Sequence, residues 1–388
     1  MNLLNNGAVE ILERRLPEEG HYNSVRTMPN RIPGLDGIRA LSIILVLSAH
    51  LTDGITPWSQ YGAFGVESFF VLSGYLITWL LCVEEDKRGV ISLLSFYTRR
   101  ALRILPPAFL YIAVASLLGF LGLASVAHNE PLYCVLFVRN LMVSGSTHLG
   151  HFWSLAIEEQ FYLLWPVAFL LLRSDRRRLV FSGALFLAAP FWQHLMFRLA
   201  GGAMYVNSWR FDLRYNALIA GCCLALLRHD GKLRLVAVNR AFTSTPAALG
   251  ALAATIAGCA GLAGAFSPSL SFIGVAAFIN FAVERKSGVI GSFLNWGPMI
   301  WIGQLSYSLY LWQQVFCWRS QIPWLGQFPQ NIVAALGAAT LSYYLLEIPL
   351  AKIRRRVRYL DNSRVLKAKR LTIAVATYPT ALEVTARP

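Results

Sequence analysis

GLDGIRALSIILVLSAHL, residues 34–51, is an apolar stretch of membrane-spanning type that carries an Asp, an Arg and a His. Ionisable groups are expensive in hydrocarbon, so Asp36, Arg39 and His50 mark a functional site by default. Arg39 and His50 are eleven residues apart, about three helical turns, and therefore share one face roughly 16 Å apart along the axis. Asp36 lies at i,i+3 to Arg39, where the two side chains can pair. One side of this helix is thus predicted to be polar at two depths in the membrane, one at Asp36 and Arg39 and the other at His50.

Composition places the whole chain in a membrane. Hydrophobic residues make up 56% of the 388 residues and charged residues only 14%, whereas a soluble chain carries about 25% charged residues. The apolar residues come in long runs, which predicts an all-α, polytopic integral membrane protein with about ten transmembrane helices. The predicted spans are residues 36–54, 61–82, 104–127, 152–172, 179–199, 213–228, 245–266, 268–283, 299–318 and 331–350. Leu132–Val143 is too short to cross, so we expect it to be re-entrant or interfacial.

The positions of the basic residues test this topology. With the N-terminus inside, 30 of the 35 Lys and Arg residues fall on the inner side of the ten spans. This asymmetry predicts that both termini are cytoplasmic, and it explains most of the net charge of +15 without a nucleic-acid partner. The chain is expected to divide into a cytoplasmic arm (1–33), a transmembrane domain (34–352) and a basic tail at the lipid surface (353–388).

Two other classes of feature are not expected. The start of the chain is no signal peptide, because Asn5, Asn6 and Glu10 interrupt its apolar residues. The six cysteines have no CxxC spacing and mostly lie in apolar runs, which favours buried thiols over a disulfide framework or a metal site.

The polar intramembrane residues sort into an outer and an inner level on this topology. Near the outer face, Glu67 lies six residues, roughly 9 Å, below the end of its span. Glu158 and Glu159 enter the fourth span at a similar depth, and His151 stands just above them. We therefore expect His50 to meet several carboxylates near the outer face.

The inner level is cationic. Arg99, Arg100 and Arg103 precede the third span, and Arg100 and Arg103 point the same way because they are i,i+3. Together with Arg39 they suit an anionic cytoplasmic ligand such as acyl-CoA. A hydroxyl acceptor would then be deprotonated above, with His50 as the base, because the ordinary pKa of histidine lies near neutrality.

Structural readings compete with these roles. The three arginines before the third span are also typical topology determinants. The two glutamates of the fourth span can instead pair with Arg210 or Arg214. A histidine at the end of a span is often an interfacial side chain, although the phase of His50 with Arg39 favours a functional role.

The motifs that contain these residues resemble the acyltransferase 3 family of membrane O-acyltransferases, and the resemblance extends over residues 32–356. Four of them follow one another in the family's order, which makes the resemblance specific. Gln313 is a departure, beside a position that is often His in the family. The motifs are Arg39–His50, Gly65–Ile77, Arg99–Pro106, His151–Tyr162, Ser306–Trp312 and Glu347–Pro349.

Members of that family transfer acetyl and other acyl groups to surface polysaccharides, lipopolysaccharide, nodulation factors and some antibiotics. The resemblance implies that His50 is the catalytic base and that Glu158 supports the base or the acceptor. It implies a standalone type, without the fused periplasmic esterase-like domain of some relatives. The other expected contacts with donor or acceptor are Asp36, Arg39, Glu67, Arg99, Arg100, Arg103 and His151.

The sequence therefore predicts a multi-pass O-acyltransferase of a bacterial inner membrane, with no bound cofactor or metal. It would move an acyl group, acetyl first, from cytoplasmic acyl-CoA to a hydroxyl of an extracytoplasmic carbohydrate or lipid-linked glycan. The alternative is a transporter of a small anion or acyl-group donor, which would also use intramembrane Arg and His. That alternative predicts inverted repeats, which we do not see in the sequence. A third reading is a non-catalytic membrane scaffold.

Overall fold

The structure, a computed structural model, describes residues 33–357 except 53–54, 58, 143, 202–208, 231–242, 286 and 318–323. The regular elements in this part of the chain are all helices. The predicted arm, 1–33, and tail, 353–388, lie outside the described residues except for Pro33 and the last helical turns up to residue 357. Those two segments therefore stay predictions.

Ten helices of 13 residues or more run through the described chain, and each overlaps one predicted span. Seven helical segments are long and apolar enough to cross a membrane, which confirms the all-α, polytopic class. The helices are α1 (Pro33–Leu51), α2 (Gly62–Arg88), α3 (Leu93–Phe120), α4 (Phe152–Leu172), α5 (Asp175–Leu199), α6 (Phe211–His229), α7 (Thr245–Cys259), α8 (Ser267–Glu284), α9 (Gly297–Trp312) and α10 (Gln330–Ser342).

The segment Leu132–Val143 is predicted not to cross, and its described residues, 132–142, contain no long helix. A short helix, Glu130–Val135, begins it. Arg139, which is 1% exposed, pairs with the carboxylate of Glu130. The polar residue that interrupts this apolar run is thus held inside the protein by an ion pair, as a buried charge requires.

Helices α2 and α6 pack most closely, and two glycines make that approach possible. A Cβ atom at Gly221 would lie 2.0 Å from the backbone oxygen of Val71, and one at Gly74 would lie 1.8 Å from that of Leu218. Small residues at a helix contact let two backbones approach within van der Waals distance, which is the main attraction between helices in lipid.

Helix α1 is held in the same manner. A Cβ atom at Gly303 of α9 would lie 1.9 Å from the backbone oxygen of Asp36. This contact lets α9 approach the backbone of α1 closely at Asp36, at the start of the polar face of α1.

A chain of charges joins one end of α2 to the neighbouring ends of α5 and α6. Arg178 donates to both oxygens of Glu85 and to Asp175. The two ring nitrogens of His229 face the carboxylates of Asp175 and Asp86. Because a carboxylate accepts, both ring nitrogens donate, and His229 is an imidazolium within this network.

We predict that Gly221→Ala destabilises the protein, because the backbone of Val71 cannot move away from the new methyl group without separating α2 from α6. Overpacking of this kind costs about 1–3 kcal/mol. The measurement is thermal unfolding in detergent micelles, followed by tryptophan fluorescence.

The matched control is Gly250→Ala in α7, where a Cβ atom would meet nothing within 4 Å. Equal melting temperatures for the two variants would contradict the close packing of α2 on α6.

Candidate functional site

A cavity among α1, α2, α3, α4 and α9 brings together most of the predicted cationic level. Its charged lining consists of Arg39 from α1, Arg100 and Arg103 from α3, and Glu158 from α4. Three guanidinium groups therefore face one carboxylate. The remaining lining is aromatic, aliphatic or hydroxyl-bearing, so the cavity is a cationic pocket inside a membrane-type helix bundle.

The three arginines differ in what holds them. Arg39 donates to Asp36 over 3.1 Å, the i,i+3 pair expected along α1. The guanidinium of Arg100 lies 5.2 Å from the ring centroid of Tyr162, a cation–π contact. Arg103 makes no hydrogen bond or ion pair with any residue in the described ranges. A guanidinium presented to a cavity in this way is suited to an anionic ligand.

Glu158 accepts a hydrogen bond from the first of two linked hydroxyl groups. Ser73 of α2 donates to Glu158 over 2.6 Å, and Tyr162 donates to Ser73 over 3.1 Å. Ser73 and Tyr162 both line the cavity and were missed in the sequence analysis. Both lie within motifs quoted above, which is the signal that pointed to them.

Ser154 and Tyr310 are the lining residues that connect the cavity to the backbone of His151. Their hydroxyl groups hydrogen-bond to each other, and both hydroxyl oxygens lie within hydrogen-bond distance of the backbone oxygen of His151, so one hydroxyl donates to the other and the second donates to that carbonyl. His50 does not line the cavity. It lies beyond this pair of hydroxyls, further along α1.

The arginine cavity and the surroundings of His50 lie at two levels of the helix bundle, and three helices connect them. α1 runs from the arginine cavity to His50, whereas α4 runs the opposite way, from His151 to Glu158. α9 runs from Tyr307 in the cavity lining toward Gln313, the first residue after this helix, whose amide lies beside the ring of His50. We had expected Glu158 to share the level of His50. The structure places it with the arginines, because seven residues of helix separate it from His151, roughly 10 Å along the axis.

The imidazole of His50 has a defined orientation. Its Nδ1 lies 3.0 Å from the backbone oxygen of Val46. Because a carbonyl oxygen only accepts, Nδ1 carries the proton and Nε2 is left with a free lone pair. That is the tautomer that a general base needs.

His151 is the titratable side chain beside His50. It is 3% exposed, and neither ring nitrogen has a hydrogen-bond partner among the described residues. Its ring is surrounded by the aromatic rings of Tyr111, Phe152 and Tyr310. The histidine at the start of the fourth-span motif is therefore not an ordinary interfacial residue.

Other candidate residues lie in ion pairs away from the cavity lining. Arg214 donates to Glu67 over 2.6 Å, so the outer carboxylate predicted to contact the acceptor is paired with α6. Arg99 donates to Glu84 over 2.9 Å. The alternative pairing of Arg210 with the glutamates of α4 is not formed, because Arg210 pairs with Asp212.

Comparison with known proteins gives one family and several relatives. The family described as "Acyltransferase domain" matches residues 32–347, so the resemblance drawn from the motifs is confirmed. The chain is 29% identical over 350 residues to the putative peptidoglycan O-acetyltransferase YrhL of Bacillus subtilis. It is 29% identical over 366 residues to the O-acetyltransferase OatA of Staphylococcus aureus, and 28% identical over 364 residues to the peptidoglycan O-acetyltransferase OatA of Listeria monocytogenes.

These alignments cover 82–84% of this chain but only 55–58% of each relative. The chain thus spans little more than half the length of the curated relatives that it matches. No solved structure gives a significant match. The predicted enzyme class, an acyltransferase, agrees with the family and with the printed names of these relatives.

Proposed function

The chain belongs to the acyltransferase domain family, and we propose that it is a membrane O-acetyltransferase that carries acetyl groups through the helix bundle. The donor is acetyl-CoA, held in the arginine cavity, and the acceptor is a hydroxyl of a carbohydrate presented near His50. The observation that carries this proposal is that α1 carries both Arg39, which lines the cavity with Arg100 and Arg103 of α3, and His50, whose Nε2 has a lone pair available.

The cavity supports the donor assignment. Coenzyme A carries phosphate groups, and bidentate contacts from guanidinium groups are the strongest that a protein makes to phosphate. Arg103 has no ion-pair partner among the described residues, so no internal pair is broken when a phosphate binds to it. The aromatic and aliphatic lining accommodates the less polar arm that carries the thioester.

The chemistry takes place at Nε2 of His50. This nitrogen removes the proton of the acceptor hydroxyl while the hydroxyl oxygen attacks the thioester carbonyl carbon. The carbon–sulfur bond then breaks, and the imidazolium returns its proton to the departing thiolate. The products are an ester and coenzyme A, and His50 is neutral again. Ser154 and Tyr310 line the cavity and bond to the backbone of His151, whose ring is near His50, so the proposed path of the donor's arm runs along them.

The acceptor is proposed from the relatives. Two of them are named peptidoglycan O-acetyltransferases, which makes the glycan strands of peptidoglycan the first candidate. Other surface glycans, including lipopolysaccharide and lipid-linked precursors, remain within the proposal. The acceptor is identified by NMR. Ester-linked acetate is measured in peptidoglycan and in surface polysaccharides purified from cells that have the gene and from cells that lack it.

The orientation is proposed from the distribution of charge. Acetyl-CoA is cytoplasmic, so the arginine cavity opens to the cytoplasm and His50 lies nearer the outer face of a bacterial inner membrane. Both termini are then cytoplasmic, as the positive-inside count predicts. A transporter of acyl-group donors would have the same arginines along its transport pathway. An experiment is therefore needed to distinguish transport from acetyl transfer. Proteoliposomes that take up labelled acetyl-CoA without any acceptor would favour transport.

We predict that His50→Ala abolishes acetyl transfer while the protein still inserts and purifies as a single species, because no other imidazole takes its position on α1. The measurement is transfer of labelled acetate from acetyl-CoA to N-acetylglucosamine oligomers by the protein in proteoliposomes. His128→Ala, at an exposed histidine of the loop after α3, is the matched control. Transfer retained by the His50 variant would remove His50 as the base.

A second prediction separates Arg103 from Arg99. Arg103→Ala removes a charged contact to the donor, typically worth about 1.5–3 kcal/mol, so acetyl-CoA should bind roughly ten- to a hundredfold more weakly. Arg99→Ala breaks the ion pair with Glu84 and the hydrogen bond to Ser95, both away from the cavity lining, and should leave the affinity nearly unchanged. Isothermal titration calorimetry in detergent measures both. Equal losses in the two variants would contradict the donor cavity.

A further inference from the structure

Gln313 is a buried amide with no visible structural purpose. It begins the 3₁₀ turn Gln313–Phe316 directly after α9 and is 0% exposed. Its side chain lies beside the ring of His50, yet neither its oxygen nor its nitrogen makes a hydrogen bond of good geometry. The polar group is therefore held at the base without being used in the fold described here.

An amide in this condition is costly. A buried polar group without a partner costs about 1–3 kcal/mol relative to a satisfied one. A methionine or leucine of similar volume would fill the same space without that cost. We therefore expect the amide of Gln313 to form a hydrogen bond at another stage of the reaction.

The surroundings of His50 identify that partner. From its own helix, Val46 accepts the Nδ1 proton. From the start of α4, His151 faces the ring, and from α10 the neutral amide of Asn331 packs on the backbone oxygen of Leu51. No carboxylate of the described chain pairs with His50. Gln313 is thus the neutral acceptor within reach of the ring.

We propose that Gln313 is a positioning residue that accepts the Nε2–H of His50 after this nitrogen has taken the proton of the acceptor hydroxyl. The inference rests on the proposed function of His50 as the base. The side-chain oxygen of Gln313 stabilises the imidazolium, and the hydrogen bond is released when the proton passes to the thiolate of coenzyme A.

A neutral amide suits this task better than a carboxylate. A carboxylate beside the ring would hold the imidazole in its protonated form at neutral pH, and a protonated ring cannot accept the proton of the acceptor. An apolar residue would leave the imidazolium without a partner in a low-dielectric site. The amide stabilises the charged intermediate without trapping it.

The test measures the protonation of His50 directly and needs no acceptor. Diethyl pyrocarbonate modifies neutral imidazole, and mass spectrometry of the peptide that contains His50 gives the rate at each pH. In Gln313→Glu, the pH at half-maximal rate should rise by about one unit or more, since a carboxylate near a histidine shifts its titration by that amount. In Gln313→Met it should not rise.

Gln314→Glu is the matched control. Gln314 is the next residue of the same turn and is 5% exposed, and its side-chain oxygen also lacks a partner. Because His50 contacts Gln313, the control should leave the titration of His50 within about 0.3 pH units, well below a carboxylate's effect. An unmoved midpoint in Gln313→Glu, or equal shifts in both glutamate variants, would overturn the inference.

Activity provides the second readout. Gln313→Met should lower kcat of acetyl transfer roughly tenfold, the equivalent of one lost hydrogen bond to a charged group, with KM for acetyl-CoA unchanged. This variant carries no buried charge, so it keeps the inference testable if Gln313→Glu does not fold. A raised KM with unchanged kcat would contradict a role at the base.

The two proposals fail separately. If His50→Ala retains acetyl transfer, the function of His50 is wrong whatever Gln313 does. If His50→Ala is inactive and Gln313→Glu leaves the titration of His50 unmoved, the role of Gln313 alone is wrong.

Discussion

The cost of placing ionisable groups in hydrocarbon governs this structure. Helix α1 carries Asp36, Arg39 and His50 through a membrane-type bundle, where each must find a partner or face a polar cavity. Asp36 and Arg39 pair with each other, and the ring of His50 bonds to the backbone of its own helix. The close approach of Gly303 to α1 keeps this polar face turned toward the interior. The site therefore depends on how tightly α1 is packed.

Three helices connect two groups of polar residues, and the proposed transfer of acetyl across the membrane requires such a division. One group is cationic and contains Glu158 in a hydroxyl chain with Ser73 and Tyr162. The other contains His50 with two buried side chains that have unused polar atoms, His151 and Gln313. The unpaired side chains in both groups favour bound partners over a purely structural role, since structural polar groups in a bundle satisfy one another.

The sequence predicted the ten helices well, because the thickness of the hydrocarbon layer sets the length of an apolar run. Spacing along α1 also predicted the Asp36–Arg39 pair. It could not predict contacts between helices, since spacing gives positions along one axis but not the rotation of one helix against another. The pairing of Glu67 with Arg214 and the depth of Glu158 depend on that rotation. Gln313 was noticed only as a departure from the family, and its burial beside His50 required the fold.

The central claim is that the arginine cavity and His50 belong to one passage for one donor. Its most direct test is a cryo-electron microscopy structure of the protein in lipid nanodiscs with a non-hydrolysable acetyl-CoA analogue. The account predicts phosphate density against Arg39, Arg100 and Arg103, with the arm of the donor passing Ser154 and Tyr310 so that its carbonyl carbon lies next to Nε2 of His50. Donor density outside the cavity, or a donor that ends in the cavity without reaching His50, would contradict this claim.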